Sequence, residues 1–139
     1  MSGVRFFLAI ALVLMFAPAG ALGKEKASFI EGTYATEEGC KKLAAIEEGG
    51  PRNVETAPEV LTADGFKGWE GSCEFTKVLE HEPGRVWLGF MVCMEGATIA
   101  PQSVVIVRGE GDNLEVGNDG DDQPEVYQRC DAGKGKTKP

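Results

Sequence analysis

The sequence predicts a mainly β domain: a small antiparallel sheet or barrel of about six strands, with one N-terminal helix and two disulfides. Short β-branched and aromatic runs fill the second half of the chain, separated by Gly, Pro and Asp turns at hairpin spacing. A single segment near the start has helical spacing. The chain has 4 cysteines, and an even number is typical of a disulfide framework.

The first residues predict a secretory signal peptide over residues 1–23. Arg5 precedes an unbroken apolar run from Phe6 to Phe16, and a small-residue stretch from Ala17 to Gly23 follows. The apolar run is too short for a bilayer span, which needs roughly 20 residues. We therefore expect a periplasmic or secreted protein that has no membrane association once the leader is removed.

The rest of the chain fits one domain over residues 24–130. A tail over residues 131–139, rich in Gly and Lys and poor in apolar residues, is expected to be disordered. The formal net charge is -8, which disfavours nucleic acid as a partner and favours a basic protein. We expect a monomer.

A short strand and a helix are expected to begin the domain. The run Phe29–Tyr34 suits a strand. Thr36 is a candidate N-cap, and Glu37 and Glu38 follow it where the helix dipole favours anions. The Gly49–Pro51 stretch ends the helical pattern, so one helix of about three turns is expected.

Strand-forming runs separated by turns make up the remainder. In chain order they are Val60–Thr62, Phe66–Leu79, Val86–Glu95, Gln102–Arg108, Leu114–Val116 and Glu125–Cys130. The run Val86–Glu95 is apolar on both faces, which indicates a central strand that is covered on both sides, or a strand that packs against the helix. The large apolar residues expected in the core are Phe66, Trp69, Phe75, Trp87, Phe90, Met91 and Met94. An alternative interpretation makes Trp69, which is flanked by Gly68 and Gly71, an exposed contact or a pocket wall.

The cysteines allow three pairings. If a hairpin turns about Pro83, Cys73 and Cys93 become cross-strand neighbours and would bond directly. Alternatively, Cys40 bonds to Cys73 and Cys93 bonds to Cys130. We favour the second pattern because it would fasten both ends of the domain to the sheet and restrain more otherwise mobile chain.

The residues present no catalytic set. His81 is the only histidine and lies in a Glu-rich turn, without an evident partner serine or free thiol. The cysteines lack the close spacing of zinc and redox motifs. We therefore expect no enzymatic activity, no catalytic residues, no metal site and no cofactor.

The strongest local excess of negative charge is an acidic run that contains no Lys or Arg. Its carboxylates are Glu110, Asp112, Glu115, Asp119, Asp121, Asp122 and Glu125. The segment Asn118–Asp122 resembles a calcium loop in composition but lacks the EF-hand order of ligands. We predict that this run binds a basic protein in a salt-sensitive manner.

Several residue groups between Tyr34 and Cys130 carry a resemblance. They are Glu70-Gly71-Ser72-Cys73-Glu74-Phe75, the Trp87 strand that ends at Cys93, and Tyr127-Gln128-Arg129-Cys130. This pattern resembles the small uncharacterised exported four-cysteine β-proteins of Gram-negative bacteria, particularly α-proteobacteria. Those proteins are similar in outline to periplasmic lysozyme inhibitors and lipocalin-like inhibitors. The resemblance implies a compact β-barrel and inhibition of a secreted hydrolase, but no inhibitory motif matches positions in this chain.

The predicted function is therefore that of a periplasmic, non-enzymatic binding protein that inhibits a cationic secreted hydrolase. The alternative is a small-ligand carrier with a lipocalin-like pocket lined by Trp87, Phe90 and Met91, which would need a cavity on the order of 300 Å³ or more. A hydrolase that acts through carboxylates is a remote alternative, because such chemistry needs two carboxyl groups held in a cleft.

Overall fold

The computed structural model describes residues 24–50, 57–118 and 123–130. The predicted signal peptide and tail lie outside the described residues. The described chain forms a closed antiparallel barrel with one helix and two disulfides. The predicted fold class is thus confirmed, although the described residues form eight strands instead of about six.

The elements follow one another around the barrel. They are β1 Tyr34–Ala35, α1 Glu37–Glu47, β2 Val60–Thr62, β3 Gly65–Lys67, β4 Gly71–Glu82, β5 Val86–Glu95, β6 Thr98–Arg108, β7 Leu114–Asn118 and β8 Glu125–Arg129. Each strand pairs antiparallel with the next, and β1 also pairs with β8. This last pairing closes the barrel, so its first and last strands do not present free edges to another chain.

Helix α1 begins where the sequence predicts. The Thr36 hydroxyl accepts a hydrogen bond from the Gly39 amide at 3.1 Å, which satisfies one of the free donors of the first turn. The helix lies close to β1, since a Cβ atom added to Gly39 would be 2.9 Å from the Ala35 Cβ. Ala35 is fully buried as a result.

Alternate residues of β5 fill the barrel interior, and residues of the other strands meet them there. The buried core includes Tyr34, Leu61, Phe66, Phe75, Trp87, Met91, Cys93, Val104, Ile106, Leu114, Val116 and Tyr127. Packing is tight at the centre, because a Cβ atom added to Gly89 would be only 2.6 Å from the Phe75 ring. A larger side chain at these core positions would therefore find little free space.

The predicted first strand, Phe29–Tyr34, is wrong except for its last residue. Phe29 instead stacks on Trp87 with ring centroids 3.8 Å apart, and Ala27 and Ile30 are buried. The Ala27 amide donates to the Ala63 carbonyl in the β2–β3 turn at 2.8 Å. Apolar packing across the barrel end holds this segment, and only Tyr34 reaches strand pairing.

The predicted strand Phe66–Leu79 is two strands. Strand β3 ends at Lys67 and β4 begins at Gly71, and Phe66 pairs with Cys73 across the reversal. The Gly68 amide donates to the Gly71 carbonyl at 2.9 Å, which closes the turn. Trp69 is carried outward in this turn and is 55% exposed, so its prediction as a core residue is wrong.

A bulge at Thr76 changes which side chains of β4 face inward. The register with β5 shifts between Phe75 and Lys77, and the Thr76 hydroxyl donates to the Phe90 carbonyl at 3.1 Å. The extra residue reverses the alternation of the strand. Val78 therefore packs on the core, whereas Lys77 is exposed, contrary to the simple alternation that places it with Phe75.

The outer face of β5 is open to solvent, so the prediction of a strand covered on both sides is wrong. Phe90 is 41% exposed and Met94 is 43% exposed, although both were expected in the core. The physical reason is that a single barrel has only one enclosed face. Helix α1 contacts β1 and β8 and does not cover β5.

The disulfides are Cys40–Cys130 and Cys73–Cys93, so the favoured pairing is wrong and the direct cross-strand bond is correct. Cys73 and Cys93 lie directly opposite each other in the β4–β5 register. The pairing of β1 with β8 brings Cys130 to the start of the domain, where its amide donates to the Thr33 carbonyl at 2.9 Å. Two disulfides indicate an oxidising, extracytoplasmic environment.

Candidate functional site

The two ends of the barrel differ in their covering. The β3–β4 and β5–β6 turns and the start of β8 lie at one end, which we call the mouth, because successive antiparallel strands place their turns alternately. The β2–β3, β4–β5 and β6–β7 turns lie at the other end, where Phe29 stacks on Trp87. At the mouth, Trp69 lies in the β3–β4 turn and is exposed.

An open cleft of about 250 Å³ lies at the mouth, and we call it the mouth cleft. It is lined by Glu59, Phe66, Gly68, Trp69, Glu70, Gly71, Ser72, Cys73, Cys93, Met94, Glu95 and Gln102. The lining combines an exposed indole, one disulfide and three carboxylates. These residues come from several strand ends and turns, so only the closed barrel brings them together.

Local sequence explains the position of Trp69. The turn that carries it is bounded by Gly68 and Gly71, and a Cβ atom added to Gly71 would overlap the backbone oxygen of Met94. Glycine therefore allows β4 to begin close against the end of β5. The indole is held beside the cleft on a short turn between two paired strands.

A tyrosine from β8 holds one carboxylate of the cleft in place. The Tyr127 hydroxyl donates to Glu59 at 2.7 Å and also lies 3.4 Å from a carboxylate oxygen of Glu125. The Tyr127 ring is buried and meets the Phe66 ring edge-on, with centroids 5.9 Å apart. Glu59, which directly precedes β2, is thereby oriented by the barrel core.

Burial raises the pKa of Tyr127 well above its ordinary value of 10.0, and the hydrogen bond to Glu59 raises it further. Both effects disfavour the phenolate, because it would be desolvated and would face a carboxylate. Tyr127 therefore remains a neutral hydrogen-bond donor across the physiological pH range.

This raised pKa predicts a loss of stability in alkali. The folded state holds the Tyr127 proton more tightly than the unfolded state, so its contribution is complete below about pH 10 and is lost as the pH rises beyond that. Between about pH 10 and about pH 11, the wild type should lose unfolding free energy faster than Tyr127→Phe, by up to about 1.4 kcal/mol per pH unit. Urea denaturation at each pH measures this difference, and parallel pH profiles would contradict it.

The charged side chains that line the mouth cleft are all acidic. Glu59, Glu70 and Glu95 line it, and its lining includes no Lys or Arg. Within the described ranges, neither Glu70 nor Glu95 makes an ion pair. Carboxylates beside an exposed indole attract an ammonium or guanidinium group, through charge and through the negative face of the aromatic ring.

The structure separates the members of the predicted acidic run. Glu110 and Asp112 are exposed in the β6–β7 turn, at the end opposite the mouth, and Glu115 lies on β7. Glu125 lies at the mouth end and faces Tyr127. The remaining members, Asp119, Asp121 and Asp122, lie outside the described residues. The described carboxylates thus do not form one surface, and binding of a partner by this run stays a prediction.

Sequence reasoning missed most of the mouth cleft. Glu59, Glu70 and Glu95 are far apart in the chain and have no common motif. The glycines that flank Trp69 are the one local signal, and they support the alternative interpretation of Trp69 as a pocket wall, because closely spaced glycines within a strand pattern mark turns and bulges. Only Glu125, among the predicted partner-binding residues that are described, lies near the mouth.

The residues proposed to line a carrier pocket do not converge. Trp87 and Met91 are buried inside the barrel, whereas Phe90 points outward. The surrounding interior is filled by the protein's own side chains, as the close approach of Phe75 to Gly89 shows. The prediction that these three residues share one pocket is therefore wrong.

Within the described ranges, no group of three or more His, Cys, Asp or Glu side chains is arranged to hold a metal ion. No helix in that part of the chain has the length and apolar character to cross a membrane. Comparisons with protein-family models, with characterised proteins and with solved structures find no match to this chain. The geometry of the mouth therefore carries the functional argument.

Proposed function

We propose that this chain is a non-enzymatic binding protein of the periplasm, exported through a signal peptide over residues 1–23. Its partner is a basic protein, and a secreted cationic hydrolase is the class that we favour. A Lys or Arg side chain of that partner enters the mouth cleft. The bound domain then inhibits the partner by covering part of the partner's surface. The observation that supports this is the exposed Trp69 beside three carboxylates in a cleft with no cationic lining residue.

The expected energies favour a partner that has several basic residues. A cation over an exposed indole contributes about 0.5 to 1 kcal/mol, and an ion pair at an exposed rim contributes about 0.2 to 1 kcal/mol. One inserted side chain therefore gives weak binding. The net charge of -8 adds long-range attraction, which speeds encounter and is screened by salt.

The rigidity of the barrel supports a binding role at its rim. Both strands that carry the Cys73–Cys93 disulfide border the cleft, and Tyr127 fixes Glu59 from the core side. A preorganised site loses little conformational entropy when it binds. The tightly filled interior favours recognition at the rim over storage of a ligand inside the barrel.

Lysozyme, a cationic cell-wall hydrolase, is the probe for a binding test. We expect calorimetric binding at low salt that weakens as salt increases, together with inhibition of cell-wall lysis. Trp69→Ala should weaken binding about threefold to fivefold, because it removes the aromatic contact. The double variant Glu70→Gln and Glu95→Gln should weaken it by about threefold to tenfold at low salt.

The matched control removes the same charge far from the mouth. Glu110→Gln with Asp112→Asn neutralises two exposed carboxylates of the β6–β7 turn and should leave affinity within about twofold of wild type. An equal loss in this control would place binding on the acidic run instead of the mouth cleft. Acetylated lysozyme, which lacks lysine charge, should bind weakly; no binding of native lysozyme at low salt would contradict the proposed partner class.

A further inference from the structure

The outward side of β5 and β6, together with Leu79 of β4, carries a continuous apolar surface, which we call the outer face. Every outward residue of β5 is apolar, and most of its neighbours on β6 are also apolar. The outer face comprises Leu79, Val86, Leu88, Phe90, Val92, Met94, Ile99, Pro101, Val105 and Val107. Phe90 is 41% exposed and Ile99 is 70% exposed. A contiguous apolar surface of this kind marks a contact site.

The other outward residues of β4 that pair with β5 are polar or charged and border the outer face: Ser72, Glu74, Lys77 and Glu82. Lys77 lies beside Phe90, and Glu74 lies beside Val92. The two charges are opposite and occupy adjacent rows of the sheet. Within the described residues Lys77 makes no ion pair, whereas Glu74 binds Lys24 at 2.8 Å. The Lys24–Glu74 pair is exposed to solvent and contributes little stability, so Glu74 can exchange Lys24 for a cation on a facing surface. With that exchange, this border complements a surface that carries the same two charges in reverse order.

We propose that a second copy of this chain covers the outer face in a two-fold symmetric dimer. The symmetry axis runs across the strands, between the row of Lys77 and the row of Glu74. In this register Lys77 faces the partner subunit's Glu74, and the reciprocal pair forms at the same time. A two-fold interface is self-complementary in this sense, because each contact occurs twice.

The same register matches the apolar residues. Phe90 faces the partner subunit's Val92, and Leu88 faces the partner subunit's Met94. On β6, Val105 faces the partner subunit's Ile99. Each of these residues is apolar and points outward from its strand. If the two antiparallel faces are shifted by one row, Lys77 no longer faces the partner subunit's Glu74.

The size of the outer face sets the expected affinity. Strand β5 has 10 residues, so the three strands cover about 33 Å by about 14 Å. Two such faces together bury roughly 900 Å², which is less than a standard stable interface. The dimer should therefore be weak and concentration-dependent, with a Kd on the order of 10 µM. This inference departs from the sequence-based expectation of a monomer.

Sedimentation equilibrium on the purified protein tests the dimer, over a range from about 1 µM to about 500 µM. The wild type should pass from monomer to dimer in this range. Phe90→Lys should remain monomeric, because it places a charge at the centre of the outer face. Val126→Lys is the matched control: Val126 is 51% exposed on β8, away from the outer face, and this variant should dimerise like the wild type.

A charge exchange tests the register. Lys77→Glu should weaken dimerisation about tenfold or more, because it places like charges opposite each other. The double variant Lys77→Glu with Glu74→Lys should restore dimerisation to within about threefold of wild type.

A wild type that stays monomeric throughout would overturn the inference and assign the outer face to a different partner. A dimer that Phe90→Lys leaves intact would also overturn it. Circular dichroism checks that each variant is folded. Lysozyme binding by Phe90→Lys is measured as well, because a variant that stays monomeric and still binds lysozyme separates the dimer from the proposed function.

Discussion

Replacing Cys40 and Cys130 with alanine should lower the free energy of unfolding by about 4.5 kcal/mol. The two cysteines are separated by 90 positions in the sequence, so their bond closes most of the domain into one loop. Crosslinking restricts the unfolded chain more when the loop is longer. The bond also attaches α1 to the end of β8, beside the pairing that closes the barrel. Denaturation in urea without reductant measures the loss.

The second disulfide provides the comparison. Cys73 and Cys93 are separated by only 20 positions, so their replacement with alanine should cost about 3 kcal/mol. Their strands remain paired over many residues on both sides of the bond. A larger loss for the Cys73 and Cys93 variant than for the Cys40 and Cys130 variant would contradict the loop-length argument and would indicate that local packing at the mouth dominates.

Gly65→Ala should destabilise the barrel by about 3 kcal/mol or more. Gly65 has a φ of 133°, a backbone conformation that alanine rarely adopts. An added Cβ atom would also overlap the Cys73 carbonyl oxygen on the neighbouring strand. Because that oxygen belongs to the backbone, it cannot move without separating β3 from β4. Thermal and urea unfolding measure the effect.

Gly84→Ala separates the two causes of this effect. Gly84 has a φ of 68°, and no atom lies within 4 Å of an added Cβ atom. Its replacement therefore carries only the conformational cost, about 1 to 2 kcal/mol. If Gly65→Ala were no more destabilising than Gly84→Ala, the close contact with Cys73 would have no energetic weight.

Part of the candidate site was within reach of sequence reasoning and part was not. The turn glycines around Trp69 are a local signal, and Glu125 belongs to the acidic run that the sequence predicts. Glu59, Glu70 and Glu95 become neighbours only when β2, the β3–β4 turn and β5 meet at the mouth. No pattern of spacing in the chain encodes that meeting, because it depends on which strands pair.

Local sequence determined the elements of this protein that depend on neighbouring residues. Thr36 caps α1 as predicted, and the run Val86–Glu95 is β5 with the same bounds. Capping and alternation involve residues within a few positions of each other, so a single segment is sufficient to specify them.

Tertiary structure decided between the possible cysteine pairings, between a buried and an exposed Trp69, and which side of β4 Val78 occupies. Pairing of β1 with β8 brings Cys40 to Cys130, and the bulge at Thr76 turns Val78 toward the core. The Cys40–Cys130 bond depends on contact between the two ends of the domain, and the other outcomes depend on how neighbouring strands pair and on their register. Register is set by the combined packing and hydrogen bonding of the whole closed barrel, which no one segment of the chain contains.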